Sequence, residues 1–237
     1  MGINFIIDNQ ALKFEEGDII SILDSNLRYD IMDNLLKYEI NNQKIDLDDI
    51  AYFKSPRGNL FNINVSEDIK YPKKQVEQSI ILDYLHKFNL DESILKKNYA
   101  ELSDSESQKI GLINTFVIDR KIIFLNNPTK NLDYKSVQNL IKIIKQEKKN
   151  KKLIFITSFD TNFILEVSNN TLYEIDNKII YEDKYKTLSN TQLLKKLNLI
   201  VPNIINFENL VISKKNINLG YRDNINDLIK DVYRNAR

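Results

Sequence analysis

Apolar and polar residues along this chain follow two patterns. The short consecutive apolar runs Ile122 to Leu125 and Leu153 to Ile156 have the form of strands buried on both faces, as in a parallel sheet. Elsewhere apolar residues recur at helical spacing: Val76, Ile80, Leu82, Leu85 and Phe88 in one stretch, then Ser107 to Ile118, then Tyr134 to Glu147. Nearer the N-terminus, Ile3 to Ile7 and Asp18 to Leu23 read as strands, with Gly17-Asp18 as the turn before the second, and Ile31 to Lys37 reads as a short helix. Strands alternating with helices predict an α/β fold around a parallel sheet, with a helical insertion from Pro56 to about Asn114. After about Lys186 only helical spacing remains, broken at Val201-Pro202 and around Gly220. The expected organisation is an α/β unit over 1–185 followed by a helical extension over 186–237.

Composition narrows the function classes. With 237 residues and 42% hydrophobic content the chain can bury one sizeable core. Its 34 Lys+Arg against 33 Asp+Glu give no bulk electrostatic reason to bind nucleic acid or anionic lipid. The absence of cysteine excludes disulfides and thiolate metal sites and agrees with a reducing compartment. No apolar run approaches the ~18 residues of a membrane span or has the form of a signal sequence.

The segment with most chemical content is Ile122 to Asp133, IIFLNNPTKNLD. An apolar strand runs into Asn126-Asn127, then Pro128-Thr129 and Leu132-Asp133. In a phosphate-cleaving site two carboxylates would stand at this strand end, one holding Mg²⁺ and one polarising the attacking water. An amide does neither well. Upstream, ELSDSESQKIGLINTFVIDRK carries Leu102, Ser103, Asp104, Ser105, Glu106, Gln108 and Lys109 at the start of a helix. Taken alone, Ser103 and Glu106 have the spacing of a capping box, Asp133 that of a helix N-cap, and Asn126-Asn127 that of a polar strand end.

In this order and spacing the segments resemble ABC-transporter ATPases, and the resemblance covers nearly the whole chain. Glu101 to Lys121 is similar to the signature segment, with Leu102, Ser103, Gln108 and Lys109 matching and Asp104, Ser105 and Glu106 departing from it. Ile122 to Asp133 is similar to Walker B and the D-loop, with Asn126 and Asn127 at the two acid positions and Asp133 at the D-loop contact. Leu153 to Ile180 resembles the following strand, switch turn and closing hairpin. The switch histidine would fall on Ser158 or Phe159. Phe14 to Leu36 resembles the Walker A unit, with Asn26, Leu27, Arg28, Tyr29, Asp30, Ile31 and Met32 in the phosphate loop. A working loop needs glycines, a lysine and a hydroxyl. Glycine and lysine are absent, Asp30 stands at the lysine position, and no serine or threonine follows it. Unit charges about 4 Å apart interact by roughly 1 kcal/mol in water and about 4 kcal/mol at an effective dielectric near 20, and reversing the sign counts this about twice.

Two features resemble one subgroup, the ATPase subunits of energy-coupling factor (ECF) transporters. FKSPRGNLF is similar to their Q-loop, with Phe53, Pro56, Leu60 and Phe61 matching and Lys54 in place of the glutamine. The Val201-Pro202 break and the helices around it are similar to their C-terminal extension. The resemblance implies a P-loop NTPase-like fold, no intact catalytic residue, no metal, and no nucleotide in the chain's own Walker site. It implies pairing with an active ATPase subunit, where ATP and Mg²⁺ would be held by the partner's Walker motifs against Ser103. It also implies docking on a transmembrane coupling subunit through Phe53, Lys54, Pro56, Leu60 and Phe61, at the cytoplasmic face of the membrane, for micronutrient uptake. The rival readings are a divergent ABC ATPase that still binds ATP, and a soluble pseudo-ATPase interaction protein outside any transporter.

Overall fold

The computed structural model describes residues 2–7, 10–23, 39–40, 43–44, 47–54, 64–70, 76–215 and 225–235. The expected helix over Ile31 to Lys37, the phosphate-loop positions Asn26 to Met32 and the docking positions Pro56, Leu60 and Phe61 lie outside these residues.

A six-stranded sheet forms the centre. It comprises β3 (Ile19–Ile22), β6 (Ile50–Lys54), β7 (Ile122–Asn126), β8 (Leu153–Thr157), β9 (Asn170–Ile175) and β10 (Lys178–Asp183), in the order β10-β9-β3-β8-β7-β6. Every pairing is parallel except that of β10, which closes the edge as an antiparallel hairpin with β9. Two further hairpins lie outside this sheet: β1 (Gly2–Ile7) with β2 (Gln10–Glu15), and β4 (Glu39–Ile40) with β5 (Gln43–Lys44). Gly17 adopts φ +86° in the turn between β2 and β3, a backbone region cheap only for glycine, and a Cβ there would meet the Lys148 carbonyl at 3.3 Å.

The apolar runs become strands because they feed two cores at once. Successive side chains of a strand point to opposite faces. Ile123, Leu125, Ile154 and Ile156 therefore pack with Phe53, Ile113, Phe116, Leu140 and Ile144 on the helical face. Ile122, Phe124, Leu153 and Phe155 pack on the other face with Leu12 and Phe14 of β2. Phe14 meets Phe155 edge-on, with ring centroids 5.3 Å apart. The helical face is covered by α1 (Val65–Lys70), α2 (Gln78–Lys87), α3 (Asp104–Val117), α4 (Tyr134–Lys149) and α5 (Thr161–Val167).

Beyond the hairpin come α6 (Lys184–Leu188), α7 (Thr191–Lys196), α8 (Asn203–Lys215) and α9 (Ile225–Asn235). Leu188, Leu193, Leu194, Leu199 and Ile205 of this helical segment share a third apolar cluster with Leu23, Ile164, Leu165 and Tyr173 of the α/β part. Among the described residues no helix is long and apolar enough to cross a membrane.

Candidate functional site

The expected site residues within the described chain collect along one rim, where parallel strands end and helices begin. β7 and β8 run side by side, so Asn126 lies opposite Thr157. The Thr157 hydroxyl donates to Asn126 Oδ1 at 2.8 Å. The Asn127 backbone N–H donates to the Thr157 carbonyl at 2.8 Å, with Asn127 at φ +49°. That left-handed conformation is one that asparagine tolerates better than most residues, and it turns the chain off the strand. The Asn126 amide oxygen is thus engaged within the protein, and it is neutral. Mg²⁺ takes hard, preferably anionic oxygens in octahedral geometry. The strand end does not fit a metal held in the manner of a Walker B acid. Among the described residues no group of three or more His, Cys, Asp or Glu is arranged to hold a metal ion.

The loop after Asn127 is bound to the helix that precedes the strand. Gln108 of α3 is buried and donates through Nε2 to the carbonyls of Asn127 (3.2 Å) and Pro128 (3.0 Å). Within the loop, Lys130 N–H reaches the Asn127 carbonyl and Leu132 N–H that of Thr129, both at 3.2 Å. The loop ends at Asp133, which caps α4. Its Oδ1 accepts from Ser136 N–H at 2.8 Å and its Oδ2 from the Ser136 hydroxyl at 2.9 Å. These two bonds, with the Lys109 ammonium 3.4 Å away, hold the Asp133 carboxyl down at about 2.

The start of α3 is a closed capping box. Ser103 Oγ accepts the Glu106 N–H at 3.2 Å, and the Glu106 carboxylate accepts the Ser103 N–H at 2.8 Å. Lys97 adds an ion pair to Glu106 at 3.0 Å. The bond from Ser103 N–H, followed by that from Lys97, lowers the Glu106 carboxyl below its ordinary range. Asp104 is exposed beside this box and Ser105 is half-buried. A helix N-terminus with free N–H groups attracts anions, but here a carboxylate of the same helix already takes part of that role.

Of the two switch positions, Ser158 is buried and its hydroxyl accepts the Asp160 N–H at 3.1 Å, whereas Phe159 is 67% exposed. Asp160 caps α5 through Oδ1, accepting from Asn162 and Phe163 N–H at 3.1 Å each. Neither side chain is an imidazole, so neither can exchange a proton with a phosphate near neutral pH as histidine does. At the far edge of the sheet, Phe53 is 2% exposed and packs in the core on β6. Lys54, next to it and in register with Asn126, is exposed.

The rim therefore brings together Asn126, Asn127, Asp133, Ser158, Phe159 and the start of α3. Sequence reasoning missed Thr157 as the partner of Asn126 and Gln108 as the clasp of the loop. Both contacts join residues about twenty or thirty positions apart, and no local spacing announces them.

No family model matches the chain. Over 160 residues it is 27% identical to a putative ABC transporter ATP-binding protein of Treponema denticola, covering 65% of this chain and 31% of that one. Over 170 residues it is 26% identical to the energy-coupling factor transporter ATP-binding protein EcfA2 of Mesomycoplasma hyopneumoniae, covering 68% of this chain and 55% of that one. The matched stretch thus spans about a third and about half of these two relatives. Among solved structures, CbiO1 from Clostridium perfringens, part of the ABC transporter complex CbiONQ, superposes with a TM-score of 0.63 at 17% identity, covering 87% of this chain and 96% of that one. The fold is that of the ABC ATPases, a P-loop NTPase-like α/β architecture. The chain is a relative of the ATP-binding subunits of ABC transporters, with ECF transporter subunits among its homologues at low identity.

Proposed function

We propose that this chain is a catalytically impaired ABC-ATPase-like subunit of an ECF-type importer. It pairs with an active ATPase subunit and docks on a transmembrane coupling protein at the cytoplasmic face of the membrane, in the uptake of a micronutrient. The observation that carries this reading is the end of β7: where this fold would place a metal-binding carboxylate, the neutral Asn126 amide is held by the Thr157 hydroxyl at 2.8 Å. The sequence at the phosphate-loop positions points the same way, with Asp30 in place of a lysine and no glycine between Asp24 and Met32. Apolar framework positions persist while charged catalytic ones have changed, as expected of a protein that must still fold and assemble but no longer hydrolyses. ATP and Mg²⁺, where the complex holds them, belong to the partner's Walker motifs.

The test is capture from a membrane preparation by the full chain and by Leu60→Asp. The expected result is that the wild type recovers both an intact ABC ATPase subunit and a transmembrane protein, and that the variant loses the transmembrane protein. Equal recovery of the transmembrane protein by both chains would contradict the docking assignment.

A further inference from the structure

The net charge of +1 conceals a segregation of charge. α4 carries five lysines and a single glutamate in its 16 residues, and that glutamate, Glu147, is buried. At 3.6 residues per turn, Lys135, Lys142, Lys145 and Lys149 fall within an arc of about 80° and span about 21 Å of the helix. All four are exposed. The side chains interleaved with them on this face, Gln138, Asn139 and Gln146, are uncharged amides. Lys130 and Lys151, both exposed, stand just before and just after the helix.

Neighbouring elements do not neutralise this face. Asn139 reaches α2 by donating through Nδ2 to the Lys87 carbonyl at 2.6 Å, and Lys145 reaches α5 through an ion pair with Glu166 at 3.7 Å. Asp83, the carboxylate within α2, is tied to Lys87 at 2.5 Å. Asp133, ahead of the helix, is engaged by Ser136 and Lys109. Among the described residues Lys135, Lys142 and Lys149 form no ion pair.

Ordinary helix electrostatics accounts for only part of the stripe. Cations in the last turn complement the helix dipole, which covers Lys148 and Lys149, but the effect fades within a turn. Lys135 lies in the first turn, where a cation opposes the dipole. On α9, by contrast, exposed charges pair along the helix, Lys230 with Asp227 at 3.0 Å and Arg234 with Asp231 at 3.8 Å. A face of one sign forgoes such pairs and repels itself. Its counterpart therefore lies outside the chain.

The chemistry of the face selects that counterpart. Lysine is depleted in the cores of protein interfaces, and the face offers no exposed apolar side chain between Lys135 and Lys149. Single-stranded nucleic acid is held in grooves by stacking aromatics, whereas the aromatic here, Tyr134, stands at one end of a convex helix. A row of flexible point charges without a bidentate arginine suits a broad anionic surface that imposes no register, such as the headgroups of a bilayer.

We propose that the lysine face of α4 binds anionic lipid headgroups, laying this helix along the membrane surface. The inference rests on the placement at the membrane proposed above and adds a direct lipid contact that needs no protein partner.

The test is flotation of the purified full chain with vesicles of phosphatidylcholine alone and of phosphatidylcholine mixed equally with phosphatidylglycerol. Binding is expected only to the anionic vesicles, and it should weaken as salt shortens the Debye length from about 30 Å at about 0.01 M to about 8 Å at about 0.15 M. A lysine near an anionic surface is worth about fivefold in affinity, so Lys142→Gln should lose about that factor. The triple variant Lys135→Gln, Lys142→Gln, Lys149→Gln should lose roughly a hundredfold. Lys195→Gln with Lys196→Gln, at two exposed lysines of α7, is the charge control and should bind within about twofold of wild type. All these side chains are exposed, so the variants should keep the wild-type thermal transition by circular dichroism. Equal affinity of the wild type and the triple variant, or equal binding to neutral vesicles, would overturn the lipid face and leave the capture of protein partners untouched. Tighter binding of a short DNA duplex than of anionic vesicles, lost in the triple variant, would overturn the choice of lipid.

Discussion

Replacing Gln108 by leucine tests whether α3 and the β7 loop act as one fixed unit. The side chain is 4% exposed, and its Nε2 group holds two backbone carbonyls, those of Asn127 at 3.2 Å and Pro128 at 3.0 Å. Leucine removes both donors. Asn127 is half-buried, so water can reach its carbonyl, and the loss there is that of an ordinary hydrogen bond, about 1 kcal/mol. Pro128 is buried, so its carbonyl is left stranded at about 1–3 kcal/mol. The sum is about 2–4 kcal/mol, which at a urea m-value near the upper end of the small-protein range, about 3 kcal/mol/M, lowers the urea midpoint by roughly 1 M. Gln108→Glu is the companion variant. Its carboxylate would face the same two carbonyls at neutral pH, while its protonated form restores one donor. The charged form is the disfavoured one in the fold, so the variant's deficit should shrink as pH falls. A Gln108→Leu midpoint within about 0.2 M of wild type, or a Gln108→Glu deficit independent of pH, would refute the clasp.

Two other perturbations have outcomes of known sign. Asp133→Ala removes the α4 cap and should cost about 1 kcal/mol at pH 7 by urea unfolding. The folded carboxyl is held down at about 2, against an ordinary value of 3.8, so its contribution is complete above pH 4 and fades toward pH 2, where wild type and variant should converge. Lys152→Met strips Glu147 of its 2.5 Å ion pair while Glu147 stays 5% exposed, and should cost about 3–5 kcal/mol. Lys152→Met with Glu147→Leu should recover most of that loss in the same assay. Equal instability of the single and double variants would show that the pair contributes through packing rather than charge.

Legibility in the sequence differed between fold and site. The runs at Ile122 and Leu153 announced β7 and β8 because strands buried on both faces must be apolar at every position, and both extend one residue beyond the run, to Asn126 and Thr157. β2 escaped notice. Among its described side chains Leu12 and Phe14 are buried, alternating with exposed Ala11, Lys13 and Glu15, and two inward residues make a faint period-two signal. α3 begins at Asp104 rather than Ser107, because the capping box draws its first turn forward. At the rim, the residue types at the strand end and helix start could be read directly. Their bonding could not, since Thr157 to Asn126, Gln108 to Pro128 and Lys109 to Asp133 form only once the strands are in register.

The most direct measurement is titration of the purified full chain with ATP by isothermal calorimetry, with magnesium and with EDTA. The Walker B position holds an amide bonded to Thr157 at the end of β7, and the phosphate-loop lysine position holds Asp30, so neither expected charge is at its place. No saturable heat is expected up to about 1 mM nucleotide, so that any binding is weaker than about 4 kcal/mol. A micromolar dissociation constant that weakens when EDTA removes the metal would contradict the impaired-site account.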